Sequence, residues 1–131
     1  VAFKSFVEKR VPRLWQADAH QALTDLQAKL GFSPVDAGQL IKQLVRRVTK
    51  EKHLRDPQDQ KIVFSALIEM WVDPHGTGEI MPADYGYKHM FRKIRRGKLR
   101  IHYHVVDHKP IILWMGYRKD AYTKAAARSR K

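Results

Sequence analysis

Arg92, Arg100 and Arg118 carry a charge that is never lost, and their planar forks match the oxygens of a phosphodiester. His102 and His104 follow Arg100 closely, and imidazole is the side-chain type suited to giving and taking protons near neutral pH. Together these residue types suit transesterification of RNA. That reaction needs a 2′-hydroxyl deprotonated, a leaving 5′-oxygen protonated and the charge of a phosphorane stabilised. The arginines would meet the last need and the imidazoles the first two. Each assignment has a plainer counterpart, because histidines on the polar face of a strand are more often bystanders. His102 and His104 could also hold a metal at their i, i+2 spacing, but no third and fourth ligand stands at a matching distance. A magnesium-dependent nuclease needs clustered carboxylates. Beyond residue 87 there are only Asp107 and Asp120, both in turn-like contexts. Metal-free chemistry with no cofactor is therefore the expectation.

The charge distribution points to the same region. The chain has 131 residues and a net charge of +13. Residues 1–87 hold twelve basic and eleven acidic side chains, whereas residues 88–131 hold fourteen and two. A field concentrated in one segment attracts a polyanion by steering and counterion release. Lys88, Lys93, Arg95, Arg96, Lys98, His104, Lys119 and Lys124 are candidate RNA contacts, with Tyr117 and Tyr122 placed to stack on a base. Arg128 to Lys131 reads as a solvated basic tail. The absence of cysteine excludes disulfides and Cys-based zinc sites. The longest apolar stretch, Ile62 to Val72, is interrupted by Ser65 and Glu69 and is too short to span a bilayer. With no signal peptide in view, a cytoplasmic protein is expected.

These residues need elements to position them. In the segment to Trp15, Pro12 argues against a continuous helix, and Val1 to Val7 reads as a first strand or an unanchored arm. A helix is expected from an Asp18 N-cap, with Ala19, Ala22, Leu23, Leu26 and Leu30 at helical spacing and Gly31 ending it. Ser33 and Pro34 open a second helix, with Ala37, Leu40, Ile41, Leu44, Val45 and Val48 on its apolar face. Lys42, Arg46, Arg47 and Lys50 on its other side read as an ordinary solvated face. Gln58 to Val72 is long enough for a helix, and Asp73 to Gly78 is a loop.

Three strands follow, at Tyr87 to Ile94, Lys98 to Val106 and Ile111 to Met115, with turns at 95–97 and 107–110. In the middle one, Leu99, Ile101, Tyr103 and Val105 alternate with Lys98, Arg100, His102 and His104. Tyr103 and Trp114 are expected in the core. The last strand, apolar at every position, is expected to be central and covered. The fold class is α+β: N-terminal helices packed on one face of a small twisted antiparallel sheet, whose other face carries cations and imidazoles. One domain is expected over 1–131, mainly helical in 1–72 and with sheet and basic face in 87–124.

The stretch Gly97-Lys98-Leu99-Arg100-Ile101-His102-Tyr103, a turn, and then Ile111-Ile112-Leu113-Trp114 resembles the terminal meander of the RelE/ParE toxin superfamily. The Ile-Ile-Leu-Trp strand and the Asp120-Ala121-Tyr122-Thr123 run are most similar to its YhaV-like ribonuclease branch. The resemblance covers about residues 87 to 124. It implies a RelE-like fold and the toxin of a type II toxin–antitoxin system. Such a toxin is a metal-independent endoribonuclease, an mRNA interferase that inhibits translation by cutting free or ribosome-bound RNA. It also implies a cognate antitoxin, for which an acidic segment would suit the basic face. By position, Arg100 matches the family's middle-strand arginine, Arg118 a basic residue after the last strand, Tyr122 a terminal aromatic, and Arg92 or Lys93 a first-strand cation. The spacing from Arg118 to Tyr122 is shorter than in RelE itself. A ParE-like inhibitor of DNA gyrase and a nucleic-acid-binding module without chemistry are the alternatives.

Overall fold

A computed structural model describes residues 2–83 and 87–121. Tyr122 and Lys124, the expected terminal aromatic and a candidate RNA contact, lie outside the described residues. The fold is α+β, with four helices preceding a four-stranded antiparallel sheet among the described residues. The chain divides into two compact units, Val1–Ile68 and Glu69–Lys131.

The first unit is helical from its start. Where a strand or arm was expected, α1 runs over Ala2–Arg10. Phe3, Phe6 and Val7 share one helical face, and Lys9 and Arg10 complement the negative end of the dipole. Pro12 stops α1, and the Gln16 side chain donates to the carbonyls of Val7 and Val11 at 3.3 and 2.9 Å. A short turn at Arg13–Trp15 leads into α2 (Gln16–Leu30), so Asp18 lies inside the first turn and is no cap. There it pairs with Lys61. Gly31 ends α2 in the left-handed conformation, φ 69°. α3 (Pro34–Thr49) begins as its sequence demands: Ser33 Oγ accepts from the Asp36 amide at 3.1 Å, with Pro34 at the first helical position. Asp56 caps α4 (Pro57–Val72) by accepting from the Gln58 amide at 2.8 Å. Trp15 and Phe64, both fully buried, meet at 4.8 Å between ring centroids in this unit's core.

The second unit holds the sheet, in the order β1 (Glu79–Met81), β2 (Phe91–Arg96), β3 (Leu99–Val106), β4 (Lys109–Tyr117). Three expectations are corrected here. β1, too short and mixed to show a pattern, is a fourth strand. The first expected strand is displaced, since β2 starts at Phe91 and takes in Arg95 and Arg96, leaving Gly97 and Lys98 as the turn. The apolar β4 is an edge strand and not a central one. Its residue Ile111 is 48% exposed, so the all-apolar run reflects neither a central position nor full cover. Pro110, which lacks an N–H, fits that edge. The β3–β4 register shifts after His102↔Trp114, leaving Leu113 as the extra residue of a bulge.

Candidate nucleic-acid interface

Partners across antiparallel strands share a face, so the register sorts the expected site residues. Lys93, His102 and Trp114 form one row, and Arg95, Arg100 and Gly116 the next row on the same face. Arg92 pairs with Tyr103, and Arg96 with Leu99 and Tyr117, in rows on the opposite face. Arg92 and Arg100 therefore do not converge. Arg92 turns to the loop before β1 instead and donates to the Gly78 carbonyl at 2.8 Å.

The expected open row of imidazoles is corrected as well. His102 is 1% exposed. Its ring lies 5.0 Å from Phe91, 5.2 Å from Trp114 and 5.5 Å from Tyr87, and its Nδ1 is 2.9 Å from the Tyr87 hydroxyl. Strand alternation correctly assigns its face, but Tyr87, four residues before β2, covers that face with a side chain no local periodicity predicts. His104 is half-buried at the edge of this cluster, 6.5 Å from the Tyr87 ring. His102 is a core residue, out of reach of a substrate.

Several cations expected to meet RNA are engaged within the unit. Glu79 lies 3.4 Å from Arg95 and 4.0 Å from Lys93, and Glu69 lies 2.8 Å from Arg96. These carboxylates went unnoticed in the sequence because the short β1 gave no register that would bring Glu79 beside β2. Lys88 is exposed in the segment leading into β2.

A different set does come together, at the end of the sheet holding the β2–β3 turn. Gly97 adopts φ 57°, which permits the tight reversal. The Lys98 carbonyl then accepts from the Arg118 amide at 2.8 Å, tying the turn to the chain leaving β4. Lys98 Nζ stands 5.4 Å from the centroid of the Tyr117 ring. Arg100 folds back along its strand and donates to the Gly97 and Leu99 carbonyls at 2.6 and 2.8 Å. A short helical turn, Arg118–Asp120, carries the chain around this end, and Ala121 packs with Trp114 on the face of Arg100. Gly97, Lys98, Tyr117, Arg118 and Lys119 line an open groove of about 810 Å³. The side chains of Arg118 and Lys119 are exposed and make no ion pair among the described residues. Five of the expected residues (Lys98, Arg100, Tyr117, Arg118 and Lys119) thus meet around one turn.

Tyr103 anchors the opposite end of β3. It is fully buried, its hydroxyl donates to the Pro74 carbonyl at 2.7 Å, and it accepts from the Gly78 amide at 3.0 Å. Burial raises its pKa above the ordinary phenol value, and the Asp73 charge adds to this, while the Gly78 amide and Arg92 oppose. A Cβ at Gly78 would lie 2.8 Å from the Tyr103 ring, so only glycine permits this approach. Beside it, His75 Nε2 and His108 Nδ1 stand 3.3 Å apart. No protein-family model matches the chain, and neither the curated proteins nor the solved structures give a match.

Proposed function

We propose that this protein is a metal-independent endoribonuclease, acting as the translation-inhibiting toxin of a toxin–antitoxin pair. The observation that carries the reading is the groove at the β2–β3 turn, where Arg118 and Lys119 stand exposed beside Lys98 and Tyr117, with Arg100 reaching the turn from the other face of β3 through the Gly97 carbonyl. Arg118 and Arg100 would hold the scissile phosphate and stabilise the phosphorane as the 2′-hydroxyl gives its proton to solvent water, its oxygen attacks phosphorus, and the 5′-oxygen leaves with a proton taken from water. The products are a 2′,3′-cyclic phosphate and a 5′-hydroxyl. The described lining of the groove contains no imidazole, so in this reading the cationic clamp contributes more than any histidine. The antitoxin would present acidic side chains to the same groove, and both proteins would work in the cytoplasm. No helix among the described residues is long and apolar enough to cross a membrane.

The burial of His102 favours a second reading, a nucleic-acid-binding module with no chemistry. One experiment separates the two. Purified protein is incubated with total RNA in excess EDTA, with and without ribosomes, beside the Arg100→Gln/Arg118→Gln variant. The first reading expects wild-type cleavage that falls by about 100-fold or more in the variant, the scale of losing a transition-state donor. Binding without cleavage supports the module. Full cleavage by the double variant refutes the clamp, and inhibition of gyrase supercoiling without RNA cleavage would replace both readings with a gyrase poison.

A further inference from the structure

The helical unit carries a second concentration of positive charge. α1 and α3 flank a groove of about 510 Å³ lined by Phe6, Lys9, Arg10, Arg46, Thr49 and Lys50. Lys42 extends it: its Nζ stands 5.5 Å from the centroid of the Phe6 ring, which the Arg46 guanidinium also covers at 6.0 Å. Lys42, Arg46 and Lys50 recur every fourth residue, forming one stripe with steps of about 6 Å along the axis. Lys9 and Arg10 face them from the last turn of α1. None of these five cations is ion-paired among the described residues, whereas Arg47, one step round α3, is paired with Glu51 at 3.5 Å. Complementing helix dipoles accounts for Lys9, Arg10 and Arg46, each in a last turn. It does not account for Lys42 in mid-helix, or for cations of two helices sharing one groove.

We infer that this groove binds the sugar–phosphate backbone of RNA without regard to base sequence. A single small anion would meet only a few of the five charges, whereas a chain of phosphates meets them in succession. The regular steps along α3 suit a polymer of evenly spaced anions better than an acidic protein segment, whose carboxylates are irregularly placed. Lys42 and Arg46 already occupy the face of Phe6, so no base stacks there and the contacts are to phosphates. The site lies in the helical unit and requires none of the residues at the β2–β3 turn, so it stands whether or not the protein cleaves RNA.

The test is the salt dependence of binding by the full chain, read by fluorescence anisotropy of a labelled oligouridylate. The variant is Lys9→Gln/Arg46→Gln/Lys50→Gln, whose replaced residues are all exposed and whose helicity is checked by circular dichroism. Loss of three phosphate contacts should flatten the slope of log K against log salt by about 2 and weaken binding at least about tenfold at physiological salt. A Lys98→Gln/Arg118→Gln/Lys119→Gln variant run alongside isolates the sheet's contribution. An unchanged slope in the groove variant overturns the proposal. So does a variant that keeps RNA affinity but loses affinity for polyglutamate, which would assign the groove to an acidic protein. An independent readout on the wild type is acetylation footprinting. Bound oligouridylate should shield Lys9, Lys42 and Lys50, and full reactivity of all three would also overturn the assignment.

Discussion

Tyr103 spends its hydroxyl twice, on the Pro74 carbonyl and the Gly78 amide, while its ring lies against Gly78. Replacing it by phenylalanine keeps the ring and strands both backbone groups. Tyr103→Phe should therefore cost about 1–3 kcal/mol in urea unfolding. The raised pKa gives a second readout. A phenol that holds its proton more tightly when folded contributes fully below the unfolded value, and the contribution is lost as pH rises through the folded value. Wild-type stability should thus decline as pH rises beyond about 10, and the decline should be shallower in Tyr103→Phe. Equal alkaline slopes in melting curves would remove Tyr103 as the cause. His102 shows how residue chemistry misleads without burial. An imidazole two places from an arginine reads as a proton-transfer group, yet here it fills a cluster with Tyr87, Phe91 and Trp114. His102→Ala should lower stability by about 2–4 kcal/mol, as a large-to-small core change does, and any cleavage activity should persist in the fraction that remains folded. A measured loss of stability below about 0.5 kcal/mol would show that the ring is not part of the core.

At the scale of elements, the two hairpins are built differently. The β2–β3 turn places a glycine at its left-handed position. The β3–β4 turn places Asp107 and His108 at φ 50° and 64°, the conformation of a type I′ turn, where asparagine and glycine are favoured. His108→Gly relieves one left-handed residue and removes the contact with His75. The relief is worth about 1 kcal/mol and the exposed hydrogen bond less, so net stabilisation of about 0.5 kcal/mol is expected in thermal melts. Destabilisation would mean that the His75–His108 contact outweighs the backbone strain. Helices were legible because caps and breakers are local: Ser33-Pro34 and Gly31 act within one turn of themselves. Asp56-Pro57 carries the same signal for α4, one residue earlier than the apolar run suggests. α1 is not legible in the sequence because its apolar stripe is only three residues long. The edge position of β4 could not be read, since apolar residues on both faces report burial and not strand order.

For the molecule as a whole, the net charge of +13 is the dominant long-range property. If an acidic partner covers the groove at the β2–β3 turn, its association should slow steeply between low and physiological salt, with dissociation far less affected. Stopped-flow rates independent of salt would remove the electrostatic account. The amino-acid sequence by itself determined the α+β class, the helices after Pro12, the β3 alternation and the concentration of cations beyond residue 87. Those follow from composition, periodicity and contacts within a few residues. Only the tertiary structure decided which cations remain available. Glu79 and Glu69 engage Arg95, Lys93 and Arg96 through a register that no local pattern encodes. The same folding puts Arg92 and Arg100 on opposite faces, buries His102, and gathers Lys98, Arg100, Tyr117, Arg118 and Lys119 around one turn. Charge is a property of a residue, but its availability is set by partners distant in sequence, which only the folded chain brings near.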